Sequence, residues 1–126
     1  RMPAPFLCWT PPKDAPEVRE RDASAPFTFG SFNYPGKMSE FTLGLWRRVL
    51  EAVPGSRLLL KAKGFDEPKT MGSVQRRLAE CGIDLARVEM RGFADGLASH
   101  MANYADVDVA LDPFPYHGTT TTCEAM

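Results

Sequence analysis

After Pro26 the apolar residues of this chain change spacing again and again, from the two-residue repeat of a strand to the three-to-four-residue repeat of a helix. In Phe27-Thr28-Phe29-Gly30-Ser31-Phe32, aromatic residues alternate with small and polar ones, which predicts a first strand. Ser39 can cap a helix whose positions Phe41, Leu45, Val49 and Leu50 are expected on one inward face, and Pro54-Gly55 ends it. Arg57-Leu58-Leu59-Leu60-Lys61 is short and uniformly apolar between its charged ends, as a parallel strand covered on both faces should be. The next helix is predicted from about Lys69 to Cys81, with Val74, Leu78 and Cys81 inward, Gln75, Arg76 and Arg77 outward, and Gly82 at its end.

Val88-Glu89-Met90-Arg91 predicts a third strand, and Asp95 is the expected cap of a third helix carrying Leu97, Met101 and Tyr104 on one stripe. A fourth strand is expected from Val107 to Leu111, then a turn, and a helix opening at Thr119. Strands that alternate with helices call for right-handed crossovers and a parallel sheet, so the fold class is α/β. In such sheets ligands sit outside the carboxyl ends of the strands. The loops to watch are therefore Asn33 to Met38, Ala62 to Pro68, Gly92 to Ala94 and Asp112 to Thr119.

Residues 1–25 read differently. Five of the eleven prolines fall in the first sixteen positions, and a charged run follows from Glu17 to Asp22, which suits a connector rather than a packed element. Phe6 and Trp9 within it are expected to dock on a surface, this domain's own included. Residues 26–126 then form one lobe. The final helix would have only about two turns before Met126, and the chain opens on Arg, so it is expected to be a piece of a longer protein.

The 126 residues, 44% hydrophobic and 25% charged, suffice for one modest core. A net charge of −1 gives no overall attraction to nucleic acid or to an anionic membrane surface. Cys8, Cys81 and Cys123 are odd in number and far apart, against both a disulfide framework and a thiolate zinc site, and fit a cytoplasmic setting. No apolar stretch approaches the roughly 18 residues of a membrane span.

The candidate chemistry lies in the last loop. Gly118 and Thr119 to Thr122, between a strand and a helix, offer backbone N–H groups and hydroxyls to an anion such as a phosphate. A plain β-branched turn with one capping Thr has the same pattern. Lys37 in the first loop could neutralise a diphosphate, although a lone loop lysine is usually solvated. The phosphate-loop pattern of ATPases fails here, since Ser31 and Met38 occupy the positions that need Gly and Ser or Thr, and no Gly-x-Gly-x-x-Gly is present. Asp106-Val107-Asp108 spells a metal-binding Asp-x-Asp, but at the sheet end opposite the proposed ligand, so no metal is expected. His100 reads either as a packing histidine or as a ligand contact at the rim, and His117 and Tyr34 as possible rim contacts. Glu124 suits the first turns of the last helix electrostatically and could equally accept from ribose hydroxyls.

Three stretches carry a family resemblance: Phe29-Gly30-Ser31-Phe32-Asn33 with Lys37, Trp46 to Leu60 (WRRVLEAVPGSRLLL), and Tyr104 to Ala125 (YADVDVALDPFPYHGTTTTCEA). Together with the connector Pro5 to Pro11 they make the chain resemble the carboxyl-terminal lobe of the O-GlcNAc transferase and Spindly-type protein glycosyltransferases, its bacterial members most of all. The resemblance implies half of a two-lobed GT-B enzyme with a Rossmann-like sheet, one that needs no metal or other cofactor. Such an enzyme transfers a sugar from a nucleotide donor, UDP-GlcNAc in the first instance and GDP-fucose in Spindly-type relatives, to Ser or Thr hydroxyls of proteins. A second catalytic lobe and tetratricopeptide repeats would precede this one in the parent chain. By the same likeness Lys37 is the candidate catalytic residue and contacts the donor diphosphate, Thr119, Thr120 and Thr121 hold the same phosphates, and His100 and Glu124 serve the nucleoside. Thr119 and Tyr34 depart from the animal members, which have histidine and glutamine there. The other readings are a GT-B enzyme acting on a glycan or lipid, or an epimerase, and a non-catalytic nucleotide- or protein-binding module.

Overall fold

In a computed structural model of the chain, residues 7–13, 15–17, 20–93 and 95–126 are described, so the expectation for Phe6 lies outside them. Four parallel strands, β1 (Thr28–Ser31), β2 (Arg57–Lys61), β3 (Val88–Arg91) and β4 (Val109–Ala110), form one sheet in the order β3-β2-β1-β4. The helices between them are α1 (Glu40–Ala52), α2 (Pro68–Glu80) and α3 (Leu97–Ala102), and α4 (Thr120–Glu124) follows β4. Three short 3₁₀ turns, Pro35–Lys37, Leu85–Arg87 and Asn103–Asp106, join them. The α/β parallel sheet expected from the alternating pattern is what the chain forms.

The strand order places the site. The chain steps outward from β1 to β2 to β3, then returns to pair β4 with the opposite edge of β1. The loops leaving β1 and β4 therefore diverge around a crevice at the carboxyl end of the sheet, where open α/β sheets bind ligands. Fourth-strand pairing is short: beyond the two ladder residues, Asp108 N–H donates to the Thr28 carbonyl and Leu111 N–H to that of Gly30. The expected strand from Val107 is thus trimmed, and Asp106 falls in the preceding 3₁₀ turn.

β2 lies between β1 and β3 and is buried at Leu58, Leu59, Leu60 and Lys61. Its Leu58 and Leu60 join Phe29, Leu43, Trp46, Leu50, Val74 and Leu78 in the main core. Ser39 caps α1 as expected, its hydroxyl accepting from Thr42 N–H at 3.2 Å. The inward face of α1 is the expected one only in part, with Leu50 buried and Val49 packed against the core. Phe41 is 60% and Leu45 38% exposed, whereas Thr42, Leu43, Trp46 and Leu50 are buried. Both sets follow helical spacing, and the buried set wins because it also brings the Thr42 hydroxyl to the backbone of Phe114. On α2, Val74 and Leu78 point inward as expected, but Arg77 is half-buried and donates to the Met38 carbonyl instead of facing water.

Asp95 does not cap α3. Gly96 takes that position at φ 80°, without a side-chain bond to the helix, and Leu97 is exposed while Met101 is buried. The residues before β1 are held by Arg21, which pairs with Asp108 at 2.7 Å and lies over the Phe27 ring. Trp9 faces this same domain across a cavity of about 530 Å³ that Met101, Tyr104 and Val107 also line.

Gly30 is needed where β1 passes the segment entering β4, because a Cβ there would overlap both methyl groups of Val107. Gly30→Ala is expected to lower unfolding free energy by about 1–3 kcal/mol, the usual cost of overpacking. Trp46→Ala should cost about 3–5 kcal/mol, and Leu45→Gln about 0.5 kcal/mol or less. Urea midpoints measure all three, and a Leu45→Gln loss equal to that of Trp46→Ala would contradict the observed orientation of α1.

Candidate functional site

Two clusters of polar side chains line the carboxyl rim of the sheet. The first joins the loop after β1 to the loop after β4. Phe114 is clamped from both sides of its backbone: its N–H donates to Thr42 Oγ1 at 3.0 Å, and its carbonyl accepts from the Thr42 and Ser39 hydroxyls at 2.8 and 3.1 Å. That clamp sets the 112–118 loop against the start of α1. Lys37, at the end of its 3₁₀ turn, then reaches across, with Nζ 3.2 Å from the His117 carbonyl and 4.6 Å from the centre of the Tyr116 ring.

Behind this contact Asp112 accepts from Thr122 Oγ1 at 2.9 and 3.1 Å and from Asn33 Nδ2 at 3.3 Å. Gly118 fills the gap, since a Cβ on it would stand 2.5 Å from Thr122 Oγ1 and 2.9 Å from Asn33 Oδ1. Asn33 is 3% exposed, and its Oδ1 has no donor among the described residues. Lys37 and the glycine-threonine turn, 80 residues apart in sequence, are thus neighbours. Thr119 occupies the cap position of α4 but makes no side-chain capping bond, and Thr119 and Thr120 are exposed to solvent while Thr121 is half-buried.

The second cluster is centred on His100. Its Nε2 lies 3.2 Å from Glu124 Oε2, and its Nδ1 lies 2.8 Å from the Nζ of Lys61, the last residue of β2. Phe32 packs beneath, 4.3 Å between ring centres from Tyr104 and 6.0 Å from His100. The Tyr104 hydroxyl stands 3.3 Å from the Thr121 carbonyl and 3.5 Å from Glu124 Oε2, with one proton to share between them. The structure therefore unites His100 and Glu124, and His100 is packed against Phe32 and Tyr104 while both ring nitrogens face polar side chains. His117 gives its backbone carbonyl to Lys37 while its ring stacks near Phe114, 5.8 Å away. Tyr34 is 71% exposed and its ring lies alongside Gly36.

Burial pushes the Lys61 ammonium below the usual lysine range, opposed by the negative charges of Glu124 and Asp66. Burial, reinforced by Glu124, raises the Tyr104 phenol well above its ordinary value. The Asp-x-Asp segment has structural duties, Asp108 beside the start of β1 and Asp106 with the last residue of β3. Asp106 pairs with Arg91, and Asp108 pairs with Arg21 and accepts from Thr28 N–H at 2.7 Å. Among the described residues, no three His, Cys, Asp or Glu side chains gather as a metal cluster would require. No helix among them is long and apolar enough to cross a membrane.

Sequence reasoning passed over Lys61, Asn33 and the hydroxyl of Tyr104. A signal for Lys61 existed: an ammonium closing an otherwise apolar, doubly covered strand must be held by something at the rim. Because the Tyr104 phenol keeps its proton in the fold above pH 10.0 and the unfolded chain releases it, stability should fall as pH rises past 10.0. In Tyr104→Phe that contribution to the alkaline fall is expected to vanish, read from denaturant midpoints between neutral and strongly alkaline pH.

No family model matches the chain. It is 39% identical over 128 residues to the probable UDP-N-acetylglucosamine–peptide N-acetylglucosaminyltransferase SPINDLY of Hordeum vulgare, and 40% over 132 residues to that of Solanum lycopersicum. The protein of the same description from Arabidopsis thaliana is 39% identical over 128 residues. Each alignment takes in 100% of this chain but 14% of the relative, so the chain spans about one seventh of the curated relatives it matches. A solved structure, an O-GlcNAc transferase from Thermobaculum terrenum carrying a K341M substitution, superposes with TM-score 0.80 and 36% identity over 91% of this chain and 22% of its own. By sequence along its entire length and by fold, this chain corresponds to one segment of the SPINDLY and O-GlcNAc transferases.

Proposed function

We propose that this chain is the donor-binding lobe of a protein O-glycosyltransferase, holding a nucleoside diphosphate sugar at the rim between β1 and β4. The observation that carries the reading is the meeting of Lys37 with the 117–119 turn, an ammonium 3.2 Å from the His117 carbonyl beside the exposed Thr119 and Thr120. A diphosphate placed there would take Lys37 and the N–H and hydroxyl groups of Thr119, Thr120 and Thr121 as donors. His100 and Glu124, joined on the same rim, suit a nucleoside, the carboxylate accepting from the ribose diol. The name of the relatives gives UDP-N-acetylglucosamine as donor and a peptide as acceptor, and the reaction proposed for the parent protein is transfer of that sugar to Ser or Thr hydroxyls.

As the glycosidic bond breaks, negative charge gathers on the departing diphosphate. Donors already aimed at that place stabilise the charged state more than the ground state, so Lys37 is the catalytic residue of this lobe and stands where other enzymes use a metal ion. The acceptor-side lobe and a repeat region belong to the remainder of a longer cytoplasmic parent, and the chain alone is expected to transfer no sugar.

Calorimetric titration of the 126-residue chain with UDP and with GDP tests the reading. One of the two nucleotides should bind more tightly, and Lys37→Ala should weaken it at least about tenfold, the loss expected for one charge-assisted contact. Absence of binding by both at millimolar nucleotide, or equal binding by the Lys37→Ala chain, would remove the proposal. A sugar-transfer signal from the isolated chain would overturn the assignment of the acceptor side to another lobe.

A further inference from the structure

His100 touches charged groups through both ring nitrogens, and the two contacts are not equivalent. Lys61 Nζ lies 2.8 Å from Nδ1 and Glu124 Oε2 lies 3.2 Å from Nε2. An ammonium has three donors and no acceptor, so the nitrogen facing it must accept. The single ring proton then sits on Nε2 and is donated to Glu124. Lys61 has little freedom to do otherwise: it closes β2, is 5% exposed, and its ammonium is walled by the Phe32 ring at 5.7 Å. Among the described residues, both hydrogen bonds to Glu124 fall on Oε2, from His100 and from the Tyr104 hydroxyl, which leaves Oε1 for other donors.

We infer that Lys61 is a positioning residue: it fixes the tautomer and ring orientation of His100, and through that ring holds Glu124 with one carboxylate oxygen turned to the ligand. This deepens the donor-binding reading and rests on it for the identity of the ligand, although the Lys61–His100–Glu124 chain itself does not. Without the ammonium, Nδ1 would face apolar surroundings with no donor. The ring could then exchange tautomers or swing, and the carboxylate would lose its fixed partner. A lysine that touched phosphate directly would behave differently, because its loss would weaken a bare diphosphate as much as a nucleotide.

The test uses the 126-residue chain and three variants. Lys61→Met keeps the buried stem without the charge, Lys61→Arg restores a donor, and His117→Gln leaves one imidazole so that its ¹⁵N resonances are assigned to His100. Long-range ¹H–¹⁵N spectra at neutral pH should show His100 with Nδ1 bare and Nε2 protonated in the parent chain and, at least in part, in Lys61→Arg. Lys61→Met should show exchange between tautomers or a changed state. In calorimetry, Lys61→Met should bind the preferred nucleoside diphosphate about tenfold more weakly, the equivalent of one net hydrogen bond, and inorganic pyrophosphate as the parent does. An unchanged His100 spectrum in folded Lys61→Met overturns the inference whatever the nucleotide result. An equal loss of pyrophosphate overturns it in favour of direct phosphate contact. If the parent chain binds no nucleotide, the donor reading fails while the spectra still decide the role of Lys61; if Lys61→Met does not fold, an Nδ1 proton on His100 in the parent or in Lys61→Arg refutes it.

Discussion

Pairing of one short strand on both of its edges governs the placement of every group at the rim. β1 is four residues long, yet it takes β2 on one side and β4 on the other, all parallel. Because chain direction is shared, the loops that follow β1, β2 and β4 emerge at one edge, and Lys37, Lys61 and the threonine turn arrive there from distant parts of the sequence. The close pass of Val107 over Gly30 makes the β1–β4 side possible. A larger residue at position 30 would push the entrance to β4 outward and shift the turn that β4 carries to the rim.

Strand and helix identity was legible because each element has one clear period. The uniformly apolar Leu58-Leu59-Leu60 could only be a covered strand, and Ser39 before an apolar stripe could only open a helix. What the pattern did not contain was strand order. The return of the chain from β3 to the far side of β1 depends on which faces the whole set can bury together, and no local spacing encodes that. The orientation of α1 was read only in part, right at Val49 and Leu50 and wrong at Phe41 and Leu45, for a related reason. Phe41 and Leu45 look more apolar than Thr42, but Thr42 satisfies two backbone groups of a loop 72 residues away, an advantage invisible to hydrophobic periodicity.

The site was half legible. Lys37 and the Gly118 turn stood out because each lies in a loop between a strand and the helix that follows it, and their contact followed once the sheet was parallel. His100 and Glu124 were recognised singly, and their junction needed α3 and α4 to be placed. Lys61 was hidden by its own strand: a residue that completes an apolar run reads as the solvent-facing end of that run, and only tertiary structure shows it burying its charge against a histidine.

The ion pairs made by Arg21 and Arg91 have a consequence for how an anion would find this surface. Arg21 with Asp108, and Arg91 with Asp106 and Glu89, cancel one another within a few ångströms. Little field escapes from these paired groups, and a chain with net charge −1 exerts almost no long-range pull. Attraction of a polyanion is then confined to the last ten ångströms or so before contact at ordinary ionic strength, within the reach of the rim ammonium groups. Capture by such a surface is a short-range event, governed by how often a ligand collides with the crevice rather than by steering from afar.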